Sequence, residues 1–198
     1  SLRALRAHPH GLDLGPLRRR LPGRLRTRDR RVHLAPALYL ADVPRLLARL
    51  HRPPEPLVLI GRRHVRSNNS WLHNSPRLMK GRARCTLLVH PDDAATLGLT
   101  DGAGAVVTSR VGQVVVPVEV TDAVMPGVVS LPHGWGHGRA GVRLRVAAAH
   151  AGVSLNDLTD PALADPLTGT AALTGTPVTV VAANGTGPHD PPFEETFE

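Results

Sequence analysis

A chain of 198 residues that is 41% hydrophobic can bury a core, but with only 3% aromatics that core must be built of Val, Leu and Ala. No apolar run approaches the roughly 18–20 residues of a membrane-spanning helix, no apolar leader opens the chain, and a single cysteine, Cys85, excludes an internal disulfide or a cysteine-rich metal site. The net charge of +8 is uneven: residues 1–52 hold thirteen arginines and three aspartates, a balance of +10, and residues 53–198 balance at −2.

Lysine occurs once, at Lys80, while Arg, Ala, Gly and Pro abound. That bias is what a GC-rich coding sequence produces, so the charge is discounted as evidence for a nucleic-acid partner. The chain starts Ser1-Leu2-Arg3 without a methionine and reads as a piece of something longer. Cysteine usage favours a cytoplasmic setting.

Residues 1–56 read as an irregular, Arg- and Pro-rich connector that drapes over a larger body. Within it Val32-His33-Leu34 is strand-like, and Asp42 is expected to cap a short helix over Val43–Leu50, with Pro44 in its first turn. Arg52-Pro53-Pro54-Glu55-Pro56 forms a stiff hinge.

From residue 57 the pattern changes to short strands punctuated by turns. Leu57-Val58-Leu59-Ile60 is the first, and where it ends a polar loop begins. Between Gly61 and Asn74 stand three arginines, three asparagines, two histidines and a tryptophan. So much hydrogen-bonding capacity in one loop points to a large polar ligand with phosphates and heteroaromatic rings. Arginine forks suit phosphate oxygens, amides suit ring edges, and an indole can stack.

Cys85–Val89 is the second strand, followed by a short helix over Asp93–Leu97 that Asp92 or Pro91 opens and Gly98 stops. Ala105–Ser109 and Gln113–Val120 form a hairpin around Val111-Gly112, Val128–Leu131 follows Pro126-Gly127, and Pro177–Val181 is last. Strands this short and evenly spaced predict a closed or nearly closed barrel over residues 57–183. Residues 184–198, Gly- and Pro-rich and then acidic, read as a disordered tail.

Five stretches in this order resemble one known family. They are Gly61–Asn74, His90–Gly102, Ser109–Val114, Thr121–Val129, and a fifth set running from Pro132-His133-Gly134-Trp135-Gly136-His137-Gly138 through Ser154–Asp160 to Asp165–Thr170. Together they resemble the C-terminal, dinucleotide-binding domain of molybdopterin oxidoreductases, the group containing formate dehydrogenases, nitrate reductases and dimethyl sulfoxide reductase. The His8–Pro16 region is similar to the connector that precedes this domain in some members.

The resemblance implies a mainly β fold with short helices, a double-psi β-barrel. It also implies a bis-(molybdopterin guanine dinucleotide) cofactor, bis-MGD, whose molybdenum or tungsten is held by the cofactor and not by this chain. The remainder of the same oxidoreductase polypeptide is then the main partner, with electron-transfer subunits beside it and neither nucleic acid nor membrane. Metal-ligand and iron–sulfur segments of full-length members are absent, so the piece alone is expected to be inactive and, with an apolar face uncovered, to self-associate.

The implied cofactor-binding residues fall in three loops. In the first, Arg62, Arg63 and Arg66 would meet phosphates, Ser67, Asn68, Asn69 and Ser70 phosphates or ring edges, and Trp71, His73 and Asn74 the pterin or guanine. The second holds His133, Gly134 and Trp135, and the third Asn156 and Asp157. No catalytic and no metal-ligating residue is expected. Each also has a plainer reading. Arg62 and Arg63 could be solvated charges, Asn68 and Asn69 left-handed turn residues, and Trp71 and Trp135 packing anchors. His133 and His137 stand among glycines that disfavour a zinc-binding helix, and Cys85 reads as a buried, inert thiol. Two other functions compete: a nucleic-acid-binding module built on the Arg-rich segment, and a ligand-free barrel serving as a subunit contact.

Overall fold

The computed structural model describes residues 1–183; the tail from Asn184, expected to be disordered, lies outside the described residues. The chain divides into two compact units, Ser1–Arg52 and the part from Pro53 onward.

The first unit contains helices α1 (Leu2–Arg6) and α2 (Ala37–Leu50), neither with a buried residue. Three sequence expectations do not hold in this unit. The helix starts at Ala37, five residues before Asp42, because Pro36 pre-sets the entering backbone and its carbonyl accepts the Tyr39 and Leu40 amides. Asp42 therefore lies inside the helix, where Arg45 donates Nε to it at 2.7 Å and Nη2 at 2.5 Å. Pro44 is likewise interior rather than in the first turn. Val32–Leu34 forms no strand, since no neighbouring segment offers it a ladder.

The second unit is mainly sheet with few short helices. Its elements are β1 (Val58–Arg62), α3 (Pro76–Met79), β2 (Leu87–Val89), α4 (Pro91–Leu97), β3 (Gly104–Thr108), β4 (Gln113–Val120), β5 (Val128–Pro132), α5 (Arg145–Ala149), β6 (Thr176–Pro177) and β7 (Thr179–Ala182). Period-2 patterning explains the strands: β3 and β4 alternate inward and outward residues, with Ala105, Val107, Val114, Val116 and Val118 inside. Gly98, at φ 63°, closes α4. The start of α4 differs from expectation, because the His90 ring, not Asp92 or Pro91, accepts the Asp92 amide.

The seven strands pair in the order β6-β1-β5-β2-β4-β3-β7. β1 runs parallel to β5 and β2 parallel to β4, while β5 lies antiparallel to β2 and between the consecutive strands β1 and β2. The two parallel pairs thus interlock, the crossing that a double-psi arrangement requires. The ends of the order, β6 and β7, are separated only by Val178, so the sheet curls until one extended segment borders both β1 and β3. Leu59, Leu87, Val89, Val107, Val116, Val129, Leu131 and Val180 fill the interior. Each such Leu or Val contributes about 1.5–3 kcal/mol on burial. A smaller cluster joins Met79 and Cys85, from the segment that follows β1, to Trp135 and Val146, from the segment that follows β5.

Candidate dinucleotide-binding site

Because β1 and β5 are parallel neighbours, the loops that follow them leave the sheet at the same end. Their junction is close. The His133 amide donates to the Arg62 carbonyl at 2.8 Å. Gly134, at φ 90°, lies so near that a β-carbon on it would stand 2.0 Å from the Asn69 carbonyl oxygen. Only glycine permits this backbone-on-backbone contact. The third loop, a 3₁₀ turn over Leu155–Asp157, is held from two sides. Leu155 packs against Gly61, where a β-carbon would meet its Cδ2 at 2.9 Å, and Gly112 leaves the same kind of room for the Asp157 carbonyl.

A forked ion pair fixes the following residues. Arg110 donates Nε and Nη2 to the two carboxylate oxygens of buried Asp160, Nη2 at 2.5 Å, and Asp160 also accepts the Ala162 amide. The Arg110 hydrogen bond holds the Asp160 carboxyl below the ordinary carboxylate range.

These supports bring Arg63, His133 and Asn156, one from each expected loop, to a single open cleft of about 120 Å³. Gly61, Leu155, Thr159, Leu173 and Thr174 complete it. Thr159 stands beside the Asn156-Asp157 stretch and was within reach of the sequence. Leu173 and Thr174 lie in an unpatterned polar excursion that carried no signal.

The other expected residues divide between structural duties and the surface. Arg62 turns inward: its Nη2 donates to the Thr86 carbonyl at 2.6 Å and to the Thr86 hydroxyl at 3.0 Å, and its Nη1 donates to the Ser130 carbonyl. Burial lowers its pKa, opposed by the Glu119 charge. It ties β1 to β5 and to the start of β2 and has no fork left for a phosphate, so the phosphate role expected of it is set aside. Asn74 is also engaged, its Oδ1 accepting the Val146 and Ala147 amides at 3.0 and 3.2 Å and so capping α5.

Ser67 is buried and donates its hydroxyl to the His64 carbonyl at 3.2 Å. His73 is 0% exposed, its ring 4.1 Å from that of Trp135 and 4.7 Å from that of His137. Burial, then the neighbouring His137, pushes its pKa down to about 4, so at neutral pH it is an uncharged packing group. Trp135 is buried as well, with its Nε1 unpartnered. Trp71, by contrast, is 83% exposed. Asn68 and Asn69 adopt left-handed backbone angles of 42° and 61°, and the Asn69 Oδ1 is buried without a partner. Ser70 is exposed. Arg139 pairs with Asp157, the neighbour of Asn156 in the third loop. Arg66 does not line the cleft and donates Nη1 to the Lys80 carbonyl at 3.3 Å. Among the described residues no group of three His, Cys, Asp or Glu side chains converges as a metal site would, and no helix is long and apolar enough to cross a membrane.

Residues 57–177 match the family described as the Molydopterin dinucleotide binding domain. The chain belongs to that family. This dinucleotide-binding domain is 45% identical over 56 residues to the dimethyl sulfoxide/trimethylamine N-oxide reductase of Rhodobacter capsulatus, covering 28% of the chain and 7% of the reductase. It is 32% identical over 114 residues to the molybdopterin-containing subunit of the arsenate respiratory reductase of Chrysiogenes arsenatis, covering 55% of the chain and 13% of that protein. A tetrathionate reductase polypeptide of Salmonella typhimurium is 31% identical over 100 residues, 46% of the chain and 10% of that polypeptide. The domain thus spans 7–13% of the length of these relatives.

Among solved structures, acetylene hydratase of Pelobacter acetylenicus superimposes with a TM-score of 0.55 at 21% identity, over 73% of this chain and 20% of that one. That likeness establishes the fold. The nucleic-acid-binding alternative finds no support in these relatives.

Proposed function

We propose that this domain forms one wall of the site for molybdopterin guanine dinucleotide in a molybdenum or tungsten oxidoreductase. The observation that carries the proposal is the meeting of Arg63, His133 and Asn156, from three loops far apart in sequence, on one cleft. At about 120 Å³ the cleft accommodates part of a dinucleotide, whereas a whole ligand of drug size needs roughly 300–1,000 Å³. A domain that makes up a small share of its relatives is expected to supply a partial pocket of this kind. In this reading residues 57–183 are the cofactor-binding domain and residues 1–56 the connector. The remainder of a longer polypeptide closes the pocket. Electron-transfer subunits, a cytoplasmic setting and self-association of the isolated piece belong to the same proposal.

The donor set fits the ligand. Arg63 is exposed at the rim and offers a free fork to phosphate oxygens. Asn156 can both donate to and accept from a ring edge, and the Thr159 and Thr174 hydroxyls add groups of either sense. The tight Gly134–Asn69 backbone contact presents main-chain groups of both loops without intervening side chains, and the buried Asn69 Oδ1 lacks a partner. When bound, the cofactor supplies the oxygen-atom or hydride chemistry. This chain's own residues hold and orient it.

Calorimetric titration of the 198-residue chain with GDP tests the reading. Saturable binding is expected, weakened roughly tenfold by Arg63→Gln and by Asn156→Ala, the loss expected for one charge-assisted or bidentate contact. Affinity unchanged in both variants would refute it.

A further inference from the structure

His73, near the end of the first loop, is fully buried and does not line the Arg63–His133–Asn156 cleft. Its ring packs edge-on against Trp135, with centroids 4.1 Å apart, and against His137 at 4.7 Å. It therefore bears on the segment that carries His133. Burial, then His137, keeps the imidazole uncharged at neutral pH. Neither ring nitrogen closes a hydrogen bond, although the Gly134 and His150 carbonyls influence the ring. Shape, not charge, joins His73 to its neighbours. The next residue, Asn74, accepts the Val146 and Ala147 amides and so fixes this end of the loop on α5.

The segment His133–Gly138 meets both other loops. Toward the first, the His133 amide donates to the Arg62 carbonyl at 2.8 Å, and Gly134 presses on the Asn69 carbonyl. Toward the third, the Gly136 and His137 amides donate to the Ala151 carbonyl at 2.7 and 3.3 Å. Gly136 lies so close to Ser154 that a β-carbon on it would stand 2.9 Å from the Ser154 nitrogen. Ser154 opens the 3₁₀ turn that carries Asn156. Within the segment, His137 donates Nε2 to the Gly134 carbonyl at 3.1 Å. That bond joins a ring touching His73 to the residue touching Asn69. Groups packed this closely transmit a displacement to their neighbours.

We propose that His73 is a positioning residue of the cleft, holding the segment His133–Gly138 against the first and third loops while touching no ligand itself. For its ligand this role rests on the dinucleotide reading; for its mechanics it rests on the contacts alone. His73 sets where His133 and Asn156 stand relative to Arg63, because residues of a binding site keep their geometry only when packing supports them. An imidazole that met the ligand directly would border the cleft, and His73 does not. The first loop thus divides its work: Arg63 borders the cleft, and His73 braces the loops that form it.

Amide hydrogen exchange and calorimetric titration with GDP, on the 198-residue chain and its variants, provide the test. In His73→Ala the His133, Gly136 and Asp157 amides should exchange roughly tenfold faster, while the β3–β4 ladder keeps the parent's rates. GDP affinity should fall roughly tenfold as well. His73→Val, which removes less volume, replaces the alanine variant should that one not fold. His73→Phe and His73→Leu refill the space without a ring nitrogen, and at least one should restore both readings to within about threefold of the parent. GDP affinity as low in both as in His73→Ala would make the ring nitrogens the operative groups and overturn the proposal. Parent-like exchange at His133, Gly136 and Asp157 in His73→Ala would overturn it too. So would faster exchange throughout the domain, which leaves His73 a general stability role. Exchange is read without ligand, so it decides the positioning even where no protein binds GDP, the outcome that refutes the dinucleotide reading instead.

Discussion

The carbonyl oxygen of Asn69 and the α-carbon of Gly134 meet so closely that a β-carbon on the glycine would lie 2.0 Å from that oxygen. This contact locks two loops separated by more than sixty residues into one surface. At φ 90°, Gly134 also occupies backbone space that L side chains rarely enter. Gly134→Ala should therefore cost more than about 2 kcal/mol, from strain plus displacement of the Asn69 backbone. Urea denaturation checks the stability. A parallel GDP titration should show weaker binding, because the loops must part.

His73 makes a pH-dependent contribution with a definite sign. Its pKa in the folded chain is about 4, below the ordinary histidine value of 6.5. Between those values the unfolded chain takes up a proton that the folded chain refuses. The contribution is thus complete above pH about 6.5 and is lost as the pH falls toward about 4. The expected loss at pH 4.5 relative to pH 7 is on the order of 2 kcal/mol, and His73→Gln should reduce it. Denaturation midpoints of both proteins at the two pH values provide the measurement.

Arg62 is expected to act on stability and not on ligand contact. Removing its fork leaves the Ser130 and Thr86 carbonyls without a charged donor. Arg62→Met should lose about 2–3 kcal/mol, and Arg62→Lys somewhat less, since the charge survives without the fork. GDP affinity of the folded Arg62→Lys protein should stay within a factor of about three of the parent, whereas Arg63→Gln should show the opposite pattern.

Asn74 caps a helix from 72 residues away. Asn74→Ala should destabilise by about 1 kcal/mol through the exposed amides of Val146 and Ala147. Asn74→Asp retains the acceptor and should recover most of that loss. Faster amide exchange confined to residues 145–149 would confirm the route.

Local signals made much of this domain legible. β-branched runs such as Val114-Val115-Val116 between Gly- and Pro-containing turns marked the strands to within two residues, because alternation and turn chemistry are written in adjacent positions. The loop after β1 declared itself by its polar density. Helix α2 was misplaced because its start depends on Pro36 and not on the better capping residue Asp42. Sorting the first loop was also beyond the sequence: Arg62 and Arg63 are neighbours of the same type, yet one clamps strands and the other borders the cleft.

Composition and periodicity alone determined that the chain from residue 57 is a Val- and Leu-filled β structure with one densely polar loop after its first strand. Tertiary structure alone decided the parallel pairing of β1 with β5, the seating of Gly134 on Asn69, and the meeting of Arg63, His133 and Asn156. The reason is physical. Propensity and alternation act over a few residues, whereas these contacts join segments that stand far apart along the chain, and only closure of the curled sheet brings them together.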